Sequence, residues 1–213
     1  MKKTIKIIAA SALAIAFAAA CDHSEVVTDK VNVNLTEALQ DGQKDSVSVN
    51  AEVEFPVSGL PDSVKTRITE TIVETAFGSD YAGMEIHAAA EKWSSDYVKE
   101  YRETNLEFAK EFESGEPSGG VFNCENQLNG YFSGRHEDIV SYTVYNYIYS
   151  GGAHGTTTEV AVNMNRNTGK LVNEADFFIP GYREALSGIL SSHLRDALPD
   201  QESYDALFVK DIE

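Results

Sequence analysis

The feature that most constrains the fold is a change in the spacing of apolar residues along the chain. Every second residue is apolar from Val47 to Phe55, which is typical of a half-buried β-strand, and Pro56 ends the pattern. Apolar residues then recur at three- and four-residue spacing over residues 61–78 and again over residues 83–112, which predicts two helices. We expect these helices to bury their apolar stripes against a sheet.

The second half of the chain returns to strand patterns. Residues 113–120 are rich in Gly and Pro and form an internal break. The regions predicted after it are strands within 121–132, 139–149 and 156–164, and a helix over 182–198. Strands and helices grouped in this way predict an α+β fold, with an antiparallel sheet and helices packed on one face.

The N-terminus is built like a secretory signal. Residues 1–20 begin with lysines, continue as a short apolar run and end in three alanines before Cys21. The apolar run is too short for a comfortable membrane span. Small residues that end at a Cys resemble the lipobox of bacterial lipoproteins, which implies cleavage before Cys21 and attachment of acyl chains such as palmitate. The alternatives are an ordinary secretory signal or an uncleaved anchor.

The rest of the chain divides into a tether and one domain. Residues 21–44 hold the lipidated Cys and a polar tether, with a short strand or helix over residues 32–39 as the alternative. The domain is predicted over residues 45–213, with the break at 113–120 inside it. We therefore expect a protein of the bacterial cell envelope that is lipid-anchored to a membrane through Cys21 and is periplasmic or surface-exposed.

The charge of the chain narrows its choice of partners. The sequence has 17 Lys+Arg against 34 Asp+Glu, a formal net charge of −17, and loss of the three lysines in residues 1–20 deepens it to −20. Nucleic acid is not an expected partner, because affinity for polyphosphate rests largely on Lys and Arg. An acidic surface instead speeds encounter with a basic protein.

Only one thiol remains for chemistry if Cys21 carries lipid. Cys124 then has no partner for an internal disulfide. A lone Cys is open to three roles, as a reactive nucleophile, a site of intermolecular pairing or a small buried hydrophobe. Its aromatic and β-branched neighbours and the adjacent Glu125 favour burial in a strand.

A search for catalytic motifs is mostly negative. The sequence contains no Gly-x-Ser-x-Gly elbow, no His-Glu-x-x-His, no phosphate loop and no Gly-x-Gly-x-x-Gly. His87 and Glu91 lie four residues apart on one predicted helix face, as two metal ligands or as a solvated pair. The sequence therefore predicts no cofactor and no metal site, and it assigns no catalytic residue.

The strongest candidate for ligand binding is the Gly-rich turn between the predicted strands 139–149 and 156–164. Its residues are Gly151, Gly152, Ala153, His154 and Gly155. Glycines let a backbone approach a ligand closely, but they equally permit a tight connection with positive φ.

Aromatic residues precede this turn on the strand before it. Tyr147 and Tyr149 share one face with Tyr145, whereas Tyr142 lies on the other. Such tyrosines are either packed residues or an exposed platform for a glycan or a protein.

The same region carries a resemblance to a known family. The run from Tyr145 to Gly155, the turn Asn167-Thr168-Gly169-Lys170 and the acidic-aromatic segment 174–178 resemble the RsiV-like extracytoplasmic domain, which is similar to the non-catalytic part of the peptidoglycan deacetylase PdaC. The resemblance covers about residues 45–213. In that family of unknown function, the best understood member is an anti-sigma factor whose outer domain binds lysozyme.

The resemblance implies a binding role with limits. This chain shows no cytoplasmic sigma-binding segment, so the anti-sigma role is not expected here. It ends at Glu213, where family members continue into a final strand pair, so we expect either a short variant of the domain or a fragment that lacks its C-terminal strands. The resemblance and the charge together predict an envelope-anchored module that binds a lysozyme-like cationic protein or cell-wall glycan such as peptidoglycan. The alternatives are a cell-wall hydrolase or deacetylase accessory domain and a structural envelope protein.

Overall fold

The computed structural model describes residues 26–42, 44–112 and 120–198. The predicted signal peptide, Cys21 and nearly all of the break at 113–120 lie outside these residues. The described chain forms two compact units, one that ends at Val172 and one that begins at Asn173.

One five-stranded sheet is the centre of the first unit, and its strands lie side by side in chain order. The strands are β1 (Val27–Ala38), β2 (Ser46–Ser58), β3 (Cys124–His136), β4 (Ile139–Tyr149) and β5 (Thr156–Asn165). Pairing is antiparallel for β1–β2, β3–β4 and β4–β5. The predicted α+β class is confirmed.

The exception to antiparallel pairing is β2–β3, which is parallel. The chain between these strands forms α1 (Asp62–Phe77), a short 3₁₀ turn at residues 79–81 and α2 (Ile86–Phe112). Parallel neighbours need a long crossover, and the two helices provide it. Both helices pack on the sheet, α1 mainly against β2 and α2 against β1 and β2.

The core lies between the sheet and these helices. Val47, Val49 and Val53 of β2 are fully buried, as the alternating pattern predicts. They form one core cluster with buried apolar residues of the helices, such as Ile72 of α1. The apolar spacing over residues 83–112 predicts that Phe108 belongs to the buried stripe of α2. This is wrong for Phe108, which is 56% exposed, whereas Ala109 beside it is buried.

The predicted tether is wrong for residues 27–38, which form β1. Direct cross-strand pairs place Val31 opposite Val53 and Leu35 opposite Val49, so this segment completes the helix-facing surface of the sheet. The alternative of a strand over residues 32–39 is right in type, but the strand begins earlier and spans Val27–Ala38. The reason is that Val31, Val33 and Leu35 repeat the period of two that β2 shows more clearly, although polar residues separate them.

The second unit consists of α3 (Glu174–Phe177) and α4 (Tyr182–Ala197) in the described residues. The predicted helix over 182–198 is confirmed. The backbone N–H of Asn173 donates to the Asp176 carboxylate at 2.8 Å, which holds the start of α3. None of the described helices is both long and apolar enough to cross a membrane.

Candidate functional site

The Gly-rich turn is held in a conformation that only glycine adopts without strain. Gly151 and Gly152 have φ values of 89° and 94°. A Cβ atom on Gly151 would lie 2.5 Å from the carbonyl oxygen of Val121, just before β3. The backbone conformation of the turn therefore requires glycine at Gly151 and Gly152, two of the residues predicted as candidates for ligand binding.

Two tyrosines of β4 contact this turn and stabilise it. The Tyr149 hydroxyl donates to the carbonyl oxygen of Gly152 at 2.9 Å. A Cβ atom on Gly155 would lie 2.5 Å from the ring of Tyr147, so that ring packs directly on the glycine. The structure thus brings Tyr147, Tyr149 and the glycines together as one folded corner.

Ala153 and His154 are exposed residues of this turn. The described contact of the His154 ring is local, with Nδ1 at 3.3 Å from the carbonyl oxygen of Gly155. An exposed imidazole at the tip of a turn is placed to touch a ligand, but no described side chain orients it as a general base would be oriented.

The alternate residues of β4 have different roles on the two faces of the sheet. Tyr142 is fully buried on the helix-facing side, where its hydroxyl donates to the carbonyl oxygen of Glu54 at 2.8 Å. Burial raises the pKa of Tyr142 far above its ordinary value. Tyr145, Tyr147 and Tyr149 are half-buried on the opposite face. This second face of the sheet is the candidate binding surface.

The register of the strands aligns Tyr145 and Tyr147 with polar residues of β1, β2 and β3, in two rows across this face. One row runs Asn34, Asn50, Gln127 and Tyr147 from β1 to β4, and the next runs Asn32, Glu52, Asn129 and Tyr145. We call these eight residues the amide–tyrosine face. Neighbouring strands lie about 4.8 Å apart, so the first row places three side-chain amides in series before an aromatic ring. The second row places two amides, with the Glu52 carboxylate between them, before another ring.

The amides surround a shallow depression of about 450 Å³ over β1, β2 and β3. Asn34, Gln127 and Asn129 are exposed there, and Asn32 and Asn50 are half-buried. The Asn50 amide donates to the Ser48 hydroxyl at 3.1 Å, and the Gln127 amide donates to the Glu125 carboxylate at 2.5 Å. Each amide has two N–H donors and an acceptor oxygen, so these local bonds leave capacity for a ligand.

Glu52 is the charged side chain in the lining of the depression, and it is paired. Lys30 forms an ion pair with Glu52 at 2.6 Å, at the edge of the depression. The centre of the face is therefore polar without a strong charge of either sign. Such a surface favours a neutral ligand that forms many hydrogen bonds.

Sequence reasoning found the tyrosines and missed the amides. Asn32 and Asn34 lie in the segment predicted as a tether, and Asn50 lies at a polar position of the alternating strand 47–55. Asn is depleted in β-strands, so its repeated appearance at the outward positions of strands was an available signal. The convergence of three strands on one depression depends on register, which the sequence did not supply.

The other sequence candidates do not assemble into a site. The His87 ring packs edge-on against Phe55, with centroids 5.6 Å apart. In residues 26–42, 44–112 and 120–198, no group of three or more His, Cys, Asp or Glu side chains is arranged to hold a metal ion. His87 and Glu91 are exposed on α2, and both line a cavity beside β1.

Cys124 is a half-buried residue at the start of β3, as its neighbours predicted. Burial raises the pKa of its thiol. The thiolate is the reactive form, so this environment makes Cys124 a poor nucleophile at neutral pH.

Comparison with known proteins adds information on the fold. No protein-family model and no curated protein matches the sequence. A crystal structure of a DUF3298 family member from Bacteroides fragilis matches with a TM-score of 0.76 and 21% identity, over 86% of this chain and 74% of that one. A DUF3298 family protein from Pseudomonas aeruginosa matches with a TM-score of 0.52 and 18% identity, over 80% of this chain and 66% of that one.

These structural neighbours define the class to which the fold is similar. It is the α+β architecture of DUF3298 proteins, whose domain has no known function. At these levels of identity the likeness concerns the fold and not a ligand or an activity.

Proposed function

We propose that this protein is an envelope-anchored lipoprotein whose RsiV-like and PdaC-like domain binds cell-wall glycan through the amide–tyrosine face. The anchor is the lipidated Cys21, and the domain works in the periplasm or at the cell surface. The observation that carries the proposal is the alignment of side-chain amides and tyrosine rings in two rows, on the sheet face opposite the one that α1 and α2 cover.

The chemistry of the face fits a glycan better than it fits other neutral ligands. Sugar hydroxyl and N-acetyl groups both donate and accept hydrogen bonds, as the amides of Asn34, Asn50 and Asn129 do. The Tyr145 and Tyr147 rings offer flat apolar surface with a polar tip, which suits the mixed character of a sugar ring. A shallow open depression admits a polymer that runs on across the sheet, whereas an enclosed pocket does not.

A second candidate ligand is a basic extracellular protein of the lysozyme type. The observation that favours it is the charge of −17 for the chain, or −20 without residues 1–20. That attraction is long-range and falls as salt is added. Glycan binding through neutral amides does not depend on salt in this way, so ionic strength separates the two candidates.

The enzymatic alternative is a hydrolase or deacetylase accessory domain. His154 is its natural candidate, and turnover of peptidoglycan fragments that disappears with His154→Ala would support it. The described surroundings of His154 hold no paired acid or base, which is why we place binding first.

The test is a titration of the full chain, kept in neutral detergent, with soluble N-acetylglucosamine oligomers at low and moderate salt. We expect saturable binding that Asn129→Ala and Tyr145→Ala each weaken by about fivefold to tenfold, the loss of one or two good contacts. Thr66→Ala, an exposed change on α1, is the matched control and keeps full affinity.

A parallel titration with lysozyme decides between the two ligands. Binding of lysozyme that disappears at moderate salt, together with no glycan binding, would replace the glycan proposal with the protein one. Absence of both signals would contradict the binding module itself and would leave a structural role in the envelope.

A further inference from the structure

The outer edge of β1 faces a groove whose other wall is α2. The cavity has a volume of about 690 Å³ and lies in the first unit. Its floor is apolar, formed by Val33 and Leu35 of the strand and by Val98 and Leu106 of the helix. In the described ranges the sheet order ends at β1, so no strand pairs with this edge.

The direction of the backbone groups of β1 follows from bonds at its two ends. The Lys30 N–H donates to the Asp29 carboxylate at 2.8 Å, and the Ala38 carbonyl accepts from Arg102 Nη2 of α2 at 3.0 Å. Leu39 N–H, at an odd position, instead points inward and donates to the carbonyl of Asp45, just before β2. Even-numbered residues of β1 therefore direct their backbone groups away from β2.

Three of these outward residues lie between the two capped ends. They are Asn32, Asn34 and Thr36, each with a backbone N–H and C=O directed away from β2. Side chains thus close the edge at Lys30 and at Ala38 and leave the middle as a short template for an added strand. An extended peptide that pairs with such an edge gains main-chain hydrogen bonds, and pockets for alternate side chains select its sequence.

The charges of the groove indicate the character of that peptide. Its lining contains four glutamates, one lysine and one arginine. Arg102 is engaged with Glu37 at 2.8 Å, and Lys99 lies 3.6 Å from Glu103. Glu91 stands on the helical wall without an ion pair among the described residues, which makes it the position that a basic side chain complements.

We propose that this groove binds an extended segment of a basic partner protein by strand addition to β1. The segment carries apolar side chains at alternate positions, for the floor at Val33, Leu35 and Val98, and a Lys or Arg that faces Glu91. A second copy of this chain is a poor occupant, because both copies carry the same strong negative charge. The inference does not rest on glycan binding, which uses the face of the sheet and not its edge.

The probe is a fluorescent peptide, acetyl-Thr-Val-Thr-Lys-Thr-Val-Thr-amide, titrated into the full chain in neutral detergent. Its Val and Lys side chains share one face of the extended strand, as the apolar floor and Glu91 require. One control peptide has N-methyl groups on alternate backbone nitrogens, and another has Glu in place of Lys. We expect saturable binding of the first peptide only, since the second cannot complete a ladder and the third is repelled by the groove. Equal binding of the N-methylated peptide would overturn strand addition.

Variants of the protein test the same two features. Thr36→Pro removes one outward N–H, which an edge strand tolerates, and should weaken binding by about fivefold, whereas Thr36→Ala should not. Glu91→Lys should weaken it by about fivefold, whereas Glu100→Lys, with the same charge change outside the groove, should have a smaller effect. Equal effects of the two lysine variants would overturn the assignment of the site.

Two further outcomes would also overturn the proposal. One is the absence of saturable binding by any of the peptides. The other is concentration-dependent dimerisation of the chain that Thr36→Pro abolishes, which would show that a second copy occupies the edge. If Thr36→Pro does not fold, as judged by circular dichroism, the N-methylated peptide and the Glu91→Lys and Glu100→Lys pair decide the question.

Discussion

The two faces of the sheet are built by alternate residues of the same strands, and they differ in what surrounds them. On the helix-facing side Val49 and Val53 are fully buried, whereas their neighbours Asn50 and Glu52 lie on the amide–tyrosine face. The first set is covered by α1 and α2, and the second set surrounds an open depression. One face therefore supplies stability, and the other is the face that we propose for ligand binding.

The largest expected loss of stability comes from placing an amide side chain on the helix-facing side of the sheet. Val49→Asn removes apolar contacts and buries a polar group away from water, so we expect a loss of at least about 3 kcal/mol in the free energy of unfolding. Urea denaturation followed by circular dichroism measures it. A loss close to zero would mean that the helices do not cover this face in solution.

A smaller loss in the free energy of unfolding is expected at the Gly-rich turn that joins β4 to β5. Gly151→Ala forces an alanine to φ near 89° and brings its Cβ towards the Val121 carbonyl, which we expect to cost about 2 kcal/mol. Thermal unfolding measures the loss, and Ala153→Gly, at the exposed tip, is the matched control. Unchanged stability of Gly151→Ala would contradict the tight packing of the turn.

The helical layer should also respond to alkaline pH. Burial and the hydrogen bond to Asp96 raise the pKa of Tyr81 to about 12. Its contribution to stability is complete below pH 10, the ordinary value for an unfolded chain, and is lost as the pH rises through about 12. Unfolding free energies between pH 9 and pH 12, measured with urea, should fall less steeply in Tyr81→Phe. A slope equal to that of the unsubstituted chain would exclude this role for Tyr81.

The smallest effect on stability is expected on the amide–tyrosine face. Asn50→Val changes a half-buried outward residue to a good strand former, so the free energy of unfolding should move by no more than about 0.5 kcal/mol. Glycan titration of the same variant should nevertheless show weaker binding. A large loss of stability in Asn50→Val would show that the amide–tyrosine face also contributes to the stability of the fold.

Much of the architecture was predictable because burial leaves a period in the sequence. The strand 139–149 and the helix at 182–198 were located almost to the residue, and α1 and α2 follow from apolar spacing. The parallel pairing of β2 and β3 was missed, since pairing direction depends on where two helices return the chain. β1 was missed as a firm strand because its apolar residues are few and its outward positions are polar.

Less of the candidate site was predictable. Tyr147, Tyr149 and the glycines were found by composition, and the structure joins them into one corner. The amides of β1, β2 and β3 were not found, because residues 32, 50 and 129 are distant in sequence and only strand register makes them neighbours. The groove beside β1 was likewise invisible, since it needs both an edge strand and the position of α2.

The sequence by itself determined the class of the fold, the acidic charge and the residues available to each face, because period and composition are local properties of the chain. The predicted lipid anchor at Cys21 rests on the same local reading. Tertiary structure decided which edge of the sheet stays open, which polar residues converge and which glycines serve the backbone. These features depend on strand register and on the helical crossover between β2 and β3. Both are set only when segments that are distant in the sequence pair and pack against each other.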